Sequence, residues 1–97
     1  MANFNIGARE AAIASFARTP IGKAYRGAFN DTGAPALAGA AIAAAVERAG
    51  IDGADVDDCI MGCAMPQGSS GLNIGRSGAL AAGLPVSVSG MTLDRQC

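Results

Sequence analysis

Three cysteines, and no histidine at all, frame the chemistry open to this sequence. Cys97 ends the run Asp94-Arg95-Gln96-Cys97, directly after the apolar stretch VSVSGMTL at 86–93. The thiolate is the reactive form of cysteine, and a nearby cation lowers a thiol pKa. Arg95 is that cation, about 7 Å from Cys97 if the chain stays extended. A helix opening just after Cys97 would favour the thiolate further. On spacing alone Cys97 is either a reactive thiolate or an inert cysteine. Cys59 and Cys63 have a C-x-x-x-C spacing that invites a metal or a disulfide, and geometry opposes both. On a strand they share a face but sit about 13 Å apart. A disulfide needs Cα atoms within about 7 Å, and a shared zinc needs both sulfurs about 2.3 Å from the ion. Only a helical segment would bring them together. They read as two small buried hydrophobes, and no metal site is expected. Without histidine, no Cys–His or Ser–His pair forms within these residues. A histidine base, if the chemistry needs one, comes from elsewhere.

These residues depend on the elements that carry them. AAIASFA at 11–17 is apolar and precedes Arg18-Thr19-Pro20, which predicts a buried strand, although alanine is a poor strand former. Pro20, Gly22, Gly27 and Gly33 make 18–34 a long loop, of a kind that is often functional. PALAGAAIAAAVERA at 35–49 predicts a helix: proline suits its first turn, alanine is the best helix former, and Gly50 fits the left-handed position beyond its end. So much alanine calls for close packing against a neighbouring backbone. DDCIMGCA at 57–64 predicts a second buried strand, and MPQGSSG at 65–71 a turn. Asn73 caps a short helix over 74–82, which Gly83 and Pro85 end. Gly75 and Gly78 weaken that helix by about 1 kcal/mol each relative to alanine, which is tolerable where another backbone approaches. A third strand spans 86–93. Its apolar phase flips at Gly90, which means burial on both faces or a bulge. The order β-α-β-α-β predicts an α/β fold with a mainly parallel sheet. In such folds sites form at the carboxyl ends of strands, where Cys97 stands.

Composition narrows the function classes. Net charge is −1 with no basic run, which argues against nucleic acid. No apolar run approaches the ~20 residues of a membrane span. MANFNIGARE lacks the apolar core of a signal peptide, and an odd cysteine count does not suggest a secreted disulfide framework. A cytoplasmic setting is expected. Arg18, Lys23 and Arg26 fall in the first loop and read as solvated or inter-subunit cations. Gly22-Lys23 lacks the upstream glycine and following Ser or Thr of a phosphate loop.

Five stretches together resemble a known family: ARTPIGKAYRGAF at 17–29, VERAGI at 46–51, MGCAMPQG at 61–68, GLNIGRSGALAAGLP at 71–85 and DRQC at 94–97. In order and interval they are similar to the N-terminal part of a thiolase, an acyl-CoA acyltransferase. The resemblance implies a layered αβαβα fold, with residues 1–97 an incomplete part of its N-terminal domain and the loop and C-terminal domains absent. It implies that Cys97 is the acyl-accepting nucleophile, attacking a 3-ketoacyl-CoA or, in reverse, serving the condensation of acetyl-CoA units. Coenzyme A thioesters would be substrates, with no permanently bound cofactor. Expected partners are acyl-CoA, CoA, the remainder of the chain, and further copies in a homodimer or homotetramer. The RQC form leans toward the degradative branch of fatty acid metabolism. Asp94 stands where many relatives have Asn. The family's histidine, its second cysteine and most of its CoA-binding surface lie downstream, so the 97 residues alone are expected to be inactive. QGSSGLNIGR at 67–76 resembles a segment near the subunit interface, where Asn73 and Arg76 are expected to be structural. A β-ketoacyl synthase-type condensing enzyme also uses a strand-end cysteine, though RTPIGK favours thiolase. A non-catalytic assembly piece supplying sheet and dimer surface to a partner chain is the alternative of a different class.

Overall fold

Residues 5–96 are described by a computed structural model. Helix α1 spans Ala34–Ala49, strand β1 Asp58–Gly62, helix α2 Ile74–Ala81 and strand β2 Ser89–Leu93, with single 3-10 turns at Gly53–Asp55 and Gly68–Ser70. The ends of α1 follow from its sequence. Proline occupies the first turn, where no amide hydrogen is needed. Gly50 takes φ +68°, and its N–H donates to the Glu47 carbonyl at 3.0 Å.

β1 and β2 run parallel, in a register from Asp58 opposite Ser89 to Gly62 opposite Leu93. α2 connects them and lies across both strands, and α1 packs on α2. The architecture is α/β with a parallel sheet, as the alternation of strand and helix predicts. Ala79, Leu84 and Val88 form the buried cluster, with Ile42, Val46, Val56 and Cys59 packed around it. Small residues let the layers close. A Cβ on Gly78 would stand 2.8 Å from the Ala38 Cβ, and one on Gly39 2.9 Å from that of Ala81. The alanine-rich helix thus meets the close neighbour its composition calls for.

The phase flip in the last strand has the same cause. The register passes through Gly90 without a bulge. A Cβ there would lie 2.7 Å from the Arg76 nitrogen, so the inward position opposite the start of α2 has no room for a side chain. Val88, Gly90 and Thr92 face α2. Ile60, Met91 and Leu93 occupy the other face and are 59, 42 and 45% exposed.

The strand expected at 11–17 is not formed. The segment has no ladder hydrogen bonds, and Ile13 and Phe16 are 86 and 82% exposed rather than buried. It lies along α1 instead: the Ser15 hydroxyl donates to the Ala45 carbonyl at 2.6 Å, and the Arg48 guanidinium to the Phe16 carbonyl at 2.9 Å. A strand exists only with a ladder partner, and four alanines in seven residues supply little preference of their own. Within the described residues the order is therefore α-β-α-β.

Candidate active site

The carboxyl ends of β1 and β2 emerge side by side. Past the paired residues, the Cys63 N–H donates to the Leu93 carbonyl at 2.9 Å. One residue further the Gln96 side-chain amide donates to the Ala64 carbonyl at 3.0 Å, across 32 residues of sequence. Asp94, Arg95 and Gln96 are all exposed. Cys97 lies outside the described residues. Its immediate predecessors reach the strand-end position at which open α/β sheets build their sites.

One hub, Asn73, aligns this end of β2. Its Oδ1 accepts from the Arg76 N–H at 3.1 Å, capping α2, and from the Thr92 hydroxyl at 2.9 Å. Its Nδ2 donates to the Gly90 carbonyl at 2.8 Å. Thr92 Oγ1 in turn accepts from the Gly75 N–H at 3.2 Å. Arg76 donates from one guanidinium nitrogen to the Val88 carbonyl and from the other to the Val86 carbonyl, the latter at 3.0 Å. A capping residue that also bonds two positions of the neighbouring strand fixes helix and strand to one another. Asn73 is thus tied to β2, and Arg76 to the backbone of the segment that leads into it, consistent with structural work. The capping role of Asn73 was legible from sequence; Thr92 as its partner was not, since nothing in a single sequence pairs residues 19 apart.

The other two cysteines are free and half-buried. Cys59 sits in β1 facing the core cluster. Burial, and then the Asp58 carboxylate, push its thiol pKa above the ordinary value, the opposite of what a nucleophile needs. Cys63 lines an apolar cavity of about 420 Å³ between α1 and the end of β1, together with Arg18, Leu37, Met61 and Ile74. Arg18 is the one of the three loop cations that lines this cavity; Lys23 and Arg26 are exposed on the loop. Among the described residues no cluster of three His, Cys, Asp or Glu side chains could hold a metal ion, and no helix is long and apolar enough to cross a membrane.

The chain is a parallel strand–helix–strand unit with polar residues beyond its paired strand ends, and comparison with known proteins gives it a family. Residues 11–97 match the family described as Thiolase, N-terminal domain, and the chain belongs to that family. It is 39% identical over 89 residues to a 3-ketoacyl-CoA thiolase of Bacillus subtilis, covering 92% of this chain and 23% of that protein. It is 42% identical over 85 residues to an acetyl-CoA acetyltransferase of Rhizobium meliloti, covering 88 and 21% of the two chains. With a beta-ketoadipyl-CoA thiolase of Pseudomonas aeruginosa it shares 41% over 90 residues, 92 and 22% of the two chains. The chain therefore spans less than a quarter of the length of these curated relatives.

Proposed function

We propose that the protein to which these residues belong is a thiolase, that residues 1–97 open its N-terminal domain, and that Cys97 is its nucleophile. The family match carries the proposal, and the convergence of the two strand ends just before Cys97 supports the choice of residue. The Cys97 thiolate attacks the keto carbon of a 3-ketoacyl-CoA. The bond between the α carbon and that carbonyl carbon then breaks, and the released acetyl-CoA carbanion takes up a proton. The acyl group, left as a thioester on Cys97, passes to the thiol of a second CoA, whose proton goes to a base. Covalent catalysis divides one difficult step into two easier ones. The backbone N–H of Cys97 is suited to help hold the oxyanion of the acyl-transfer step. With no histidine among the 97 residues, a histidine base is supplied by the rest of the protein, and this piece alone is inactive. The substrates are CoA thioesters. The relatives' names include 3-ketoacyl, acetyl and ketoadipyl groups, and the RQC sequence favours the degradative direction. The proposal extends to a cytoplasmic homo-oligomer, in keeping with the free Cys59 and Cys63 and the uncovered apolar sheet face.

The test is Cys97→Ser in the full-length protein. Serine preserves size, but its hydroxyl is far less ionised than a thiol of ordinary pKa about 8.5. Thiolysis and acyl-enzyme formation should be abolished with folding unchanged. Incubation of the parent protein with a 3-ketoacyl-CoA, followed by peptide mapping, should place the acyl adduct on Cys97. An adduct on another residue, or near-normal turnover by the variant, would refute the assignment.

A further inference from the structure

The backbone ladder between the strands stops before the chain reaches Cys97. Leu93 is the last residue of β2, and its carbonyl takes the last backbone hydrogen bond, from the Cys63 N–H at 2.9 Å. Asp94 and Arg95 are exposed and outside the strand. Where backbone pairing ends, a side chain takes over: Gln96 Nε2 donates to the Ala64 carbonyl at 3.0 Å and also lies 3.5 Å from Asp94 Oδ1. We infer that Gln96 is a positioning residue, its amide clasping the exits of β1 and β2 together so that the next residue, Cys97, is presented in a fixed place. The inference rests on Cys97 being the nucleophile.

Geometry is the reason one exposed hydrogen bond matters here. Consecutive Cα atoms are about 3.8 Å apart across a trans peptide, so holding Gln96 narrows the space open to the residue that follows it. A misplacement of about 1 Å in a reacting group can cost about 100-fold in rate. The donor must be an amide of this length. A carboxylate at the same place would face the Ala64 carbonyl oxygen with no hydrogen to offer. Losing this one hydrogen bond removes no packed volume when the side-chain length is kept, so loss of the clasp should be felt in the chemistry more than in stability.

The full-length protein carrying Gln96→Met keeps the side-chain length and loses the donor. Its kcat for thiolysis should fall about tenfold, with KM within about twofold and the melting temperature unchanged. Gln96→Glu, nearly isosteric, should lose at least as much at pH 8, where its carboxyl is ionised. Wild-type kcat in Gln96→Met would overturn the inference. So would a fall in melting temperature with kcat preserved, which would make the residue a structural one. Cys97→Ser, assayed in parallel, separates the two levels. If it retains turnover, the nucleophile assignment fails and the clasp falls with it. If it is dead while Gln96→Met is normal, the clasp alone fails.

Discussion

Gly75→Ala reverses the usual expectation for a helix interior. Alanine is favoured over glycine there by about 1 kcal/mol, so on propensity alone the change stabilises α2. The surroundings of Gly75 decide otherwise. A Cβ at this position would run into the Met91 carbonyl oxygen, with the Met91 carbonyl carbon 3.0 Å and the Cys59 carbonyl oxygen 3.2 Å away. These are backbone atoms of both strands, which cannot rotate aside as a flexible side chain can. The helix must lift off the sheet, and overpacking of this kind costs about 1–3 kcal/mol. Lifting also lengthens the 3.2 Å hydrogen bond from the Gly75 N–H to Thr92 Oγ1, whose net worth is about 1 kcal/mol. With the propensity gain set against these losses, the net cost is about 1–3 kcal/mol. Urea unfolding of the full-length protein would show it as a lowered midpoint. Equal or greater stability in Gly75→Ala would refute the close approach of helix to sheet.

The isolated 97-residue chain should show no cooperative thermal transition. Ile74, Ala79, Leu84 and Val88 are the buried hydrophobic residues of the described segment. So small a core sits beside a two-stranded sheet with open edges and an apolar face uncovered in this segment, which does not make an independently stable unit. A sharp calorimetric peak from the dilute monomer would contradict this. In the full-length protein, a limiting iodoacetamide pulse at pH 8 should label Cys97 before Cys59 or Cys63. The raised pKa of Cys59 also fixes a sign: its neutral thiol is favoured by the fold, so its contribution to stability is present below the unfolded thiol pKa and lost as pH rises through the folded one. Cys59→Ala should therefore flatten the stability loss above about pH 9, and a steeper loss would contradict the assignment.

Much of the architecture was legible because local signals and tertiary needs agree. Pro35 and Gly50 bracket α1, Asn73 and Gly83 bracket α2, and both helices and both strands fall within three residues of the expected bounds. The glycines of α2 announced close backbone approach, and the structure supplies the neighbours. The segment at 11–17 misled because apolar character says that a residue prefers burial, not that a partner strand is available. Gln96 was invisible as a contact for a different reason. Its hydrogen bond to Ala64 spans 32 residues and goes to a backbone carbonyl, so no side-chain type at position 64 betrays it. Two left-handed residues that are not glycine, Tyr25 at φ +65° and Leu72 at +61°, likewise left no trace in the sequence.

The uncovered face of the sheet has a consequence in time. Ile60, Met91 and Leu93 stand on one side of β1 and β2 with nothing over them in this segment. In a protein as long as its relatives, roughly 300 residues remain to be synthesised once Cys97 has been added, and at about 5–20 residues per second that takes on the order of 15–60 s. Throughout that interval a ribosome-bound intermediate presents an apolar, two-edged sheet to a crowded cell. Translation speed downstream of codon 97, and the holdases that meet the nascent chain, therefore act on this face until enough of the later chain exists to shield it.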